Sequence, residues 1–186
     1  PITVQTYLTK EQVQLMREKL EEYGDIQLQA YAFLSLTTMA RVNAVANLKW
    51  KQVNLEERIC TDVIEKEGKI VELSFSVETK NYLENLIQYR KENNIDDHGW
   101  LFITPYVTED KPIRNSTLND WCKKIGAMID VPTLHHHDFR HSYATKNASD
   151  AAKTAASATI GSCMVHAVPK HMLATMHKQN SRTVIE

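Results

Sequence analysis

His135-His136-His137-Asp138-Phe139-Arg140-His141-Ser142-Tyr143-Ala144-Thr145 is the stretch on which the reading of the whole chain turns. Four histidines fall within seven residues. If the segment is helical, His137 and Arg140 share a face at i, i+3 spacing. A fixed guanidinium beside an imidazole suits a phosphodiester. Arginine offers two parallel donors to an anion's oxygens, and histidine can move a proton near neutral pH. His137 and His141 also stand one helical turn apart, as two zinc ligands would. No HExxH glutamate accompanies them, and no cysteine lies nearby in sequence. The plainest alternative is a helix start with partly exposed histidines. All three readings are open on these residues alone.

Upstream, Thr9 can cap a helix with Gln12 three residues on. Val13, Leu15, Met16 and Leu20 then keep a helical period up to Tyr23-Gly24. A second helix, rich in Leu, Ala, Tyr and Phe, is expected from about Gln27 to Leu36 and should be buried. A third follows Arg41, with Val42, Val45, Ala46 and Leu48 on one side. Ile59, Val63 and Ile64 precede a Lys66-Glu67-Gly68-Lys69 turn. Beyond it Val71, Leu73, Phe75 and Val77 alternate with Glu72, Ser74 and Ser76, the period-two pattern of a half-buried strand. The segment therefore reads as a β-hairpin. Helices are expected from about Glu78 to Asn93, and after Asn115 or Ser116 as cap, the latter with Leu118, Trp121, Cys122, Ile125 and Met128 on its apolar side. Tyr7, Tyr23, Tyr31, Tyr82, Tyr89 and Tyr106 read as packing residues. Residues 146–159 contain no Leu, Ile, Val, Met or aromatic side chain, so a helix there would have little to bury.

Composition narrows the class. The 186 residues are 42% hydrophobic and 24% charged, with five Gly and five Pro, which excludes collagen-like and disordered chains. No apolar run approaches the ~20 residues of a membrane span, and no signal peptide opens the sequence. Cys60, Cys122 and Cys163 are odd in number and far apart, which suggests reduced thiols and a cytoplasmic protein. The net charge is only -1, but it is unevenly spread. Residues 1–110 hold 12 Lys/Arg against 18 Asp/Glu, a balance of -6, and residues 111–186 hold 10 against 5, a balance of +5. A basic second half is compatible with one face meeting a polyanion.

Two segments carry a resemblance. Thr38-Met39-Ala40-Arg41-Val42-Asn43-Ala44-Val45-Ala46-Asn47-Leu48-Lys49-Trp50 resembles the first catalytic box of the tyrosine recombinase (phage integrase) family, an arginine followed by Leu-x-Trp. His137-Asp138-Phe139-Arg140-His141-Ser142-Tyr143-Ala144-Thr145 resembles the second, H-x-x-R with a trailing aromatic and Ala-Thr. Tyr7 to Glu22 is similar to the opening helix of the family's catalytic domain. The hairpin lies between the boxes, where the family carries its catalytic lysine. The resemblance covers about residues 7–145.

It implies an α+β, mainly helical domain with a small antiparallel β-sheet on one edge, and DNA cleavage and rejoining through a 3′-phosphotyrosyl intermediate, as in phages and mobile elements. By resemblance, Arg41 and Arg140 would clamp the scissile phosphate, and Lys66, preferred to Lys69, would protonate the leaving 5′ oxygen. His137 would assist proton transfer, and His166 is the candidate third-box histidine. Lys69, Lys123, Lys124 and His141 are candidate DNA contacts. The resemblance implies no metal and no cofactor. The expected partners are double-stranded DNA and protomers of the same recombinase, with no membrane involved. Residues 1–186 read as a single catalytic domain, weakly matched from about residue 146, without the family's amino-terminal core-binding domain.

Departures are specific. Met39 and Ala44 stand where the first box usually has Gly and a buttressing Glu. Gly161 and His166 are not adjacent, as the third box would have them. No tyrosine follows Tyr143, so the nucleophile is unassigned. A catalytically inactive DNA-binding module on the same fold is the alternative, and a zinc-dependent hydrolase using His135–His141 a more remote one.

Overall fold

The computed structural model describes residues 7–140 and 142. Helix α1 (Lys10–Tyr23) begins with the reciprocal cap that Thr9 and Gln12 predict. Thr9 Oγ1 accepts from the Gln12 amide at 3.1 Å, and Gln12 Oε1 accepts from the Thr9 amide at 2.8 Å. Gly24 ends it in the left-handed region, at φ 76°, where a residue without Cβ meets no steric cost. Asp25 caps α2 (Ile26–Thr38) by accepting from the Leu28 amide. Every residue from Ala30 to Leu36 is buried, so α2 is the central helix of the core. It ends at Met39, and the short α3 (Val42–Ala46) follows Arg41 directly.

The chain then forms a three-stranded antiparallel sheet in the order β1 (Val53–Asn54), β2 (Ile59–Ile64), β3 (Ile70–Ser74). Val63 pairs with Val71 and Cys60 with Leu73 on the side turned to the core, while Ile64 pairs with Ile70 at the end of the ladder. A bulge interrupts the register between Cys60 and Val63. The turn itself puts Glu67 and Gly68 at positive φ, and the Glu65 amide donates to the Lys69 carbonyl at 2.8 Å.

Helix α4 (Val77–Glu92) packs along α2. The alternation through Val77 overstates the strand. Ser76 Oγ accepts from the Thr79 amide at 3.1 Å, which makes Ser76 a helix cap and turns Val77 into the first, exposed residue of α4. Helix α5 (Asn115–Met128) begins one residue earlier than an Asn115 cap and two earlier than a Ser116 cap would have it, with Arg114 in the cap position. Leu118, Cys122 and Ile125 are buried as expected, and Trp121 and Met128 pack against the core. Residues 136–140 and 142 are helical. The mainly helical α+β class with a small edge sheet is thus observed. Among the described residues, no helix is long and apolar enough to cross a membrane.

Two sequence expectations need correction or completion. Tyr7, Tyr23, Tyr89 and Tyr106 are exposed rather than packed, because loop or outward helix positions leave their rings in water. Tyr31 is fully buried as expected, and it carries a polar role described below. Arg90, which no sequence motif marks, is buried. It donates to Gln27 Oε1, Asp97 Oδ2 and the Trp100 and Leu101 carbonyls, and so pins residues 97–101 against α2 and α4.

Gly126, inside α5, marks a tight crossing. A Cβ there would stand 2.3 Å from the Val131 carbonyl oxygen and 2.9 Å from Leu134 Cβ. The obstruction is backbone, which cannot swing aside, and Leu134 leads directly into the histidine stretch. Gly126→Ala is expected to destabilise the domain by about 3 kcal/mol despite alanine's better helix propensity. Urea unfolding checks this, with an unchanged midpoint as the contrary result.

Candidate phosphate cleft

Arg41, Lys66, His137 and Arg140 come from three distant segments and line one cleft of about 900 Å³. Arg41 is the cap residue of α3, Lys66 opens the hairpin turn, and His137 and Arg140 lie on the 136–140 turn. That turn starts locally. The Asp138 amide donates to the His135 carbonyl at 2.9 Å, and Asp138 Oδ2 accepts from the His135 amide at 2.7 Å, the back-reaching half of a capping box. Ser142 fastens its far end by accepting from the Leu8 amide at 2.6 Å. Asn119 and Lys123 of α5 line the same cleft, Lys123 adding a further cation.

The side chains differ in setting. Arg140 is buried at 6% exposure, whereas the Arg41 side chain is 44% exposed. Arg41 is held by a residue the sequence reading did not single out. Its Nε lies 2.9 Å from Glu65 Oε2, and Glu65 Oε1 accepts from the Arg41 backbone N–H at 3.3 Å. The Glu65 side chain is only 6% exposed. One carboxylate therefore fixes both the backbone and one edge of the guanidinium, leaving Nη1 and Nη2 without partners among the described residues. The Lys66 ammonium is exposed and 3.7 Å from Glu67 Oε1. Lys123 points into the cleft within 3.8 Å of Asp120.

Of the other selected residues, Lys69 stands outside the cleft lining. Lys124 turns the other way, with its Nζ 4.5 Å from the centroid of the Tyr23 ring. His141 and His166 lie outside the described residues, as do Tyr143 and Cys163.

The unexpected member is His136. Its ring is buried, with Nε2 2.7 Å from the Ala40 carbonyl oxygen and Nδ1 2.8 Å from the Tyr31 hydroxyl. The Tyr31 oxygen also lies 3.0 Å from Cys122 Sγ. One assignment of protons satisfies all three contacts. The Cys122 thiol donates to Tyr31, Tyr31 donates to Nδ1, and Nε2–H donates to the Ala40 carbonyl. Burial favours this neutral state throughout. It lowers His136 to about 4, raises Cys122 to about 12 and raises Tyr31 well above its ordinary value. Phe102, Trp121 and Phe139 surround Tyr31 edge-on and keep water out. Since Ala40 immediately precedes Arg41, this imidazole ties the segment holding Arg41 to the turn holding His137 and Arg140.

With both ring nitrogens engaged, His136 has no lone pair to offer a metal. Among the described residues, no three His, Cys, Asp or Glu side chains converge as ligands. The free thiols of Cys60 and Cys122 are buried.

The fold is shared with solved recombinases. XerA recombinase superposes with a TM-score of 0.68 at 21% identity, over 94% of this chain and 65% of that one. XerH site-specific recombinase, in a pre-cleavage complex with its difH substrate, gives 0.65 at 17%, over 97% and 53%. The Tn1549 transposon integrase, in complex with transposon right-end DNA, gives 0.58 at 14%, over 96% and 65%. The chain spans between about half and two-thirds of those proteins. No curated protein sequence matches it. The sequence pattern of the phage integrase family matches residues 6–157, most of the length, and the chain belongs to that family.

Proposed function

We propose that this chain is the catalytic domain of a site-specific DNA recombinase that cleaves and rejoins strands through a phosphotyrosyl link. The observation that carries the reading is the convergence of Arg41, Lys66, His137 and Arg140 on one cleft. In this scheme the two guanidiniums bind the non-bridging oxygens of the scissile phosphate and stabilise the charge of its five-coordinate transition state. A tyrosine oxygen attacks phosphorus, forming the P–O(Tyr) bond as the P–O5′ bond breaks. Lys66 delivers a proton to the departing 5′ oxygen, and His137 assists the proton transfers. His166, from sequence resemblance alone, is the candidate third-box histidine. Lys123 is the best placed of the proposed DNA contacts, and Lys69, Lys124 and His141 are secondary ones. The XerH and lambda integrase structures, the latter a dimer bound to a core site, support duplex DNA and further protomers as partners.

A second reading, a DNA-binding module without cleavage activity, is favoured by the departures within the first box, where Met39 and Ala44 replace the usual Gly and buttressing Glu. Nicked suicide duplexes of randomised sequence separate the two. A covalent protein–DNA adduct resistant to denaturant is expected for the recombinase. Duplex binding with no adduct would instead support the module. Unaltered binding and processing by Arg41→Ala and Arg140→Ala would remove the cleft from both readings.

A further inference from the structure

We propose that Ile64 and Ile70, at the tip of the β2–β3 hairpin, form an apolar contact with the deoxyribose faces of the strand whose phosphate enters the Arg41–Arg140 cleft. This rests on the reading of that cleft as a phosphodiester site and adds a non-ionic component to it. The two isoleucines are directly paired across the hairpin, on its last rung before the turn. They are 63% and 66% exposed, whereas the neighbouring Val63–Val71 rung is buried. Outward positions of a small sheet are ordinarily polar, as Asp62 and Glu72 are here. Two large β-branched hydrophobes side by side in water are therefore a local exception.

Their position gives the occupant. Ile64 lines the cleft together with Arg41, Lys66 and Arg140. Along a nucleic-acid strand each phosphate is flanked by sugar carbons, so an apolar pair adjoining a cationic cleft matches the strand's alternation of anion and hydrocarbon. Lys66 and Lys69 flank the pair and attract the backbone. Glu67 is exposed and opposes them, while the Glu65 carboxylate is turned onto Arg41. With Asp62 and Glu72 the hairpin itself carries no excess of positive charge; the cations that favour a polyanion over a neutral protein partner are Arg41, Lys123 and Arg140 in the adjoining cleft.

Salt dependence separates this contact from the ionic ones. Each cation released from a phosphate contact removes about 0.9 from the slope of log affinity against log salt, whereas an apolar contact leaves the slope unchanged. Binding of a mixed-sequence duplex is measured by fluorescence anisotropy over a salt series. Ile64→Thr/Ile70→Thr, which keeps β-branching and hence the hairpin, is expected to lose about tenfold in affinity at every salt, with the slope intact and the melting temperature unchanged. Lys66→Gln is expected to flatten the slope. Unchanged affinity of the isoleucine variant, beside weakened Arg41→Ala and Arg140→Ala, would overturn the apolar contact alone. No duplex binding by the unsubstituted chain would overturn the cleft reading and this inference together. Lost self-association in sedimentation, with unchanged DNA affinity, would overturn DNA as the occupant in favour of a second copy of the chain.

Discussion

Arg41→Ala is expected to impair this domain more than Arg140→Ala does, although Arg140 is the more buried of the two. Each substitution removes one guanidinium from the cleft, and loss of a single donor to the developing charge lowers a chemical step by about 10²–10³-fold. Arg140→Ala takes away that cation together with the packing and the other contacts of its side chain. Arg41→Ala does something further. It leaves the Glu65 carboxylate, 6% exposed and among the described residues in contact through both oxygens with Arg41, as an uncompensated negative charge beside the place where the phosphate must sit. The cleft then repels its proposed ligand as well as failing to grip it. The adduct-forming rate is expected to fall by about 10³-fold or more, and duplex affinity by more than in Arg140→Ala. Removing the buried charge as well should undo part of this. Arg41→Ala/Glu65→Gln should recover about tenfold in duplex affinity over Arg41→Ala, while staying deficient in adduct formation. Stability should fall by about 1–3 kcal/mol in Arg41→Ala, since water screens the arginine side of the pair, 44% exposed, while the carboxylate left behind is buried. Equal losses in the two single variants, or no recovery in the double variant, would show that Glu65 does not oppose the anion.

The parts of the fold visible in the sequence are those whose cause is local. Thr9 and Gln12 announce α1 because a capping box needs only four residues. The alternation through Val71 and Leu73 announces β3 because each side chain's face is set by its neighbours. The strand was overextended where two local signals compete. Ser76 continues the alternation and is also a good helix cap, and the packing of α4 on α2 decides in favour of the cap. Arg41, Lys66, His137 and Arg140 were legible through resemblance of short motifs, not through any property that shows they converge. What closes the cleft was not legible. Glu65 is one of 23 acidic residues, and nothing adjacent marks it as the partner of Arg41. His136 stood in plain view within the histidine stretch, but its partners Ala40, Tyr31 and Cys122 come from α5 and from the α2 region at the other end of the chain. A buried polar group at such a crossing is identified only when the elements that enclose it have been brought together.

That buried imidazole gives the domain a specific acid sensitivity. His136 is held neutral in the folded state, with its affinity for a proton lowered to about 4 by burial, against about 6.5 in the unfolded chain. The Ala40 carbonyl works against that lowering, and Arg140 and His137 contribute to it as neighbouring charges. Tyr31 and Cys122, packed against the ring, stay neutral over this range. Between the two values the unfolded chain binds a proton that the folded chain refuses. Stability contributed by neutral His136 is therefore complete above about pH 6.5 and declines as pH falls toward 4. Integrated across that window, the loss is about 3 kcal/mol, a large part of a domain's usual margin. Carboxylates titrate in the lower part of the same range, so the informative quantity is a difference between proteins. His136→Asn supplies an amide N–H and a carbonyl without a titrating group. It is expected to be less stable than the parent at pH 7.5, since a shorter side chain cannot span both Tyr31 and Ala40. It is also expected to lose less stability on acidification from pH 6.5 to 4. Urea midpoints measured across this range check the expectation, and parallel curves for the two proteins would mean that His136 takes up its proton without disturbing the fold. The same experiment bears on the cleft. Protonation puts a hydrogen on Nδ1, where Tyr31 now donates, and so pushes the ring away from Tyr31, while Nε2–H keeps its bond to the Ala40 carbonyl. Duplex affinity of the parent should accordingly fall below about pH 5 as the turn carrying His137 and Arg140 shifts relative to Tyr31 on α2.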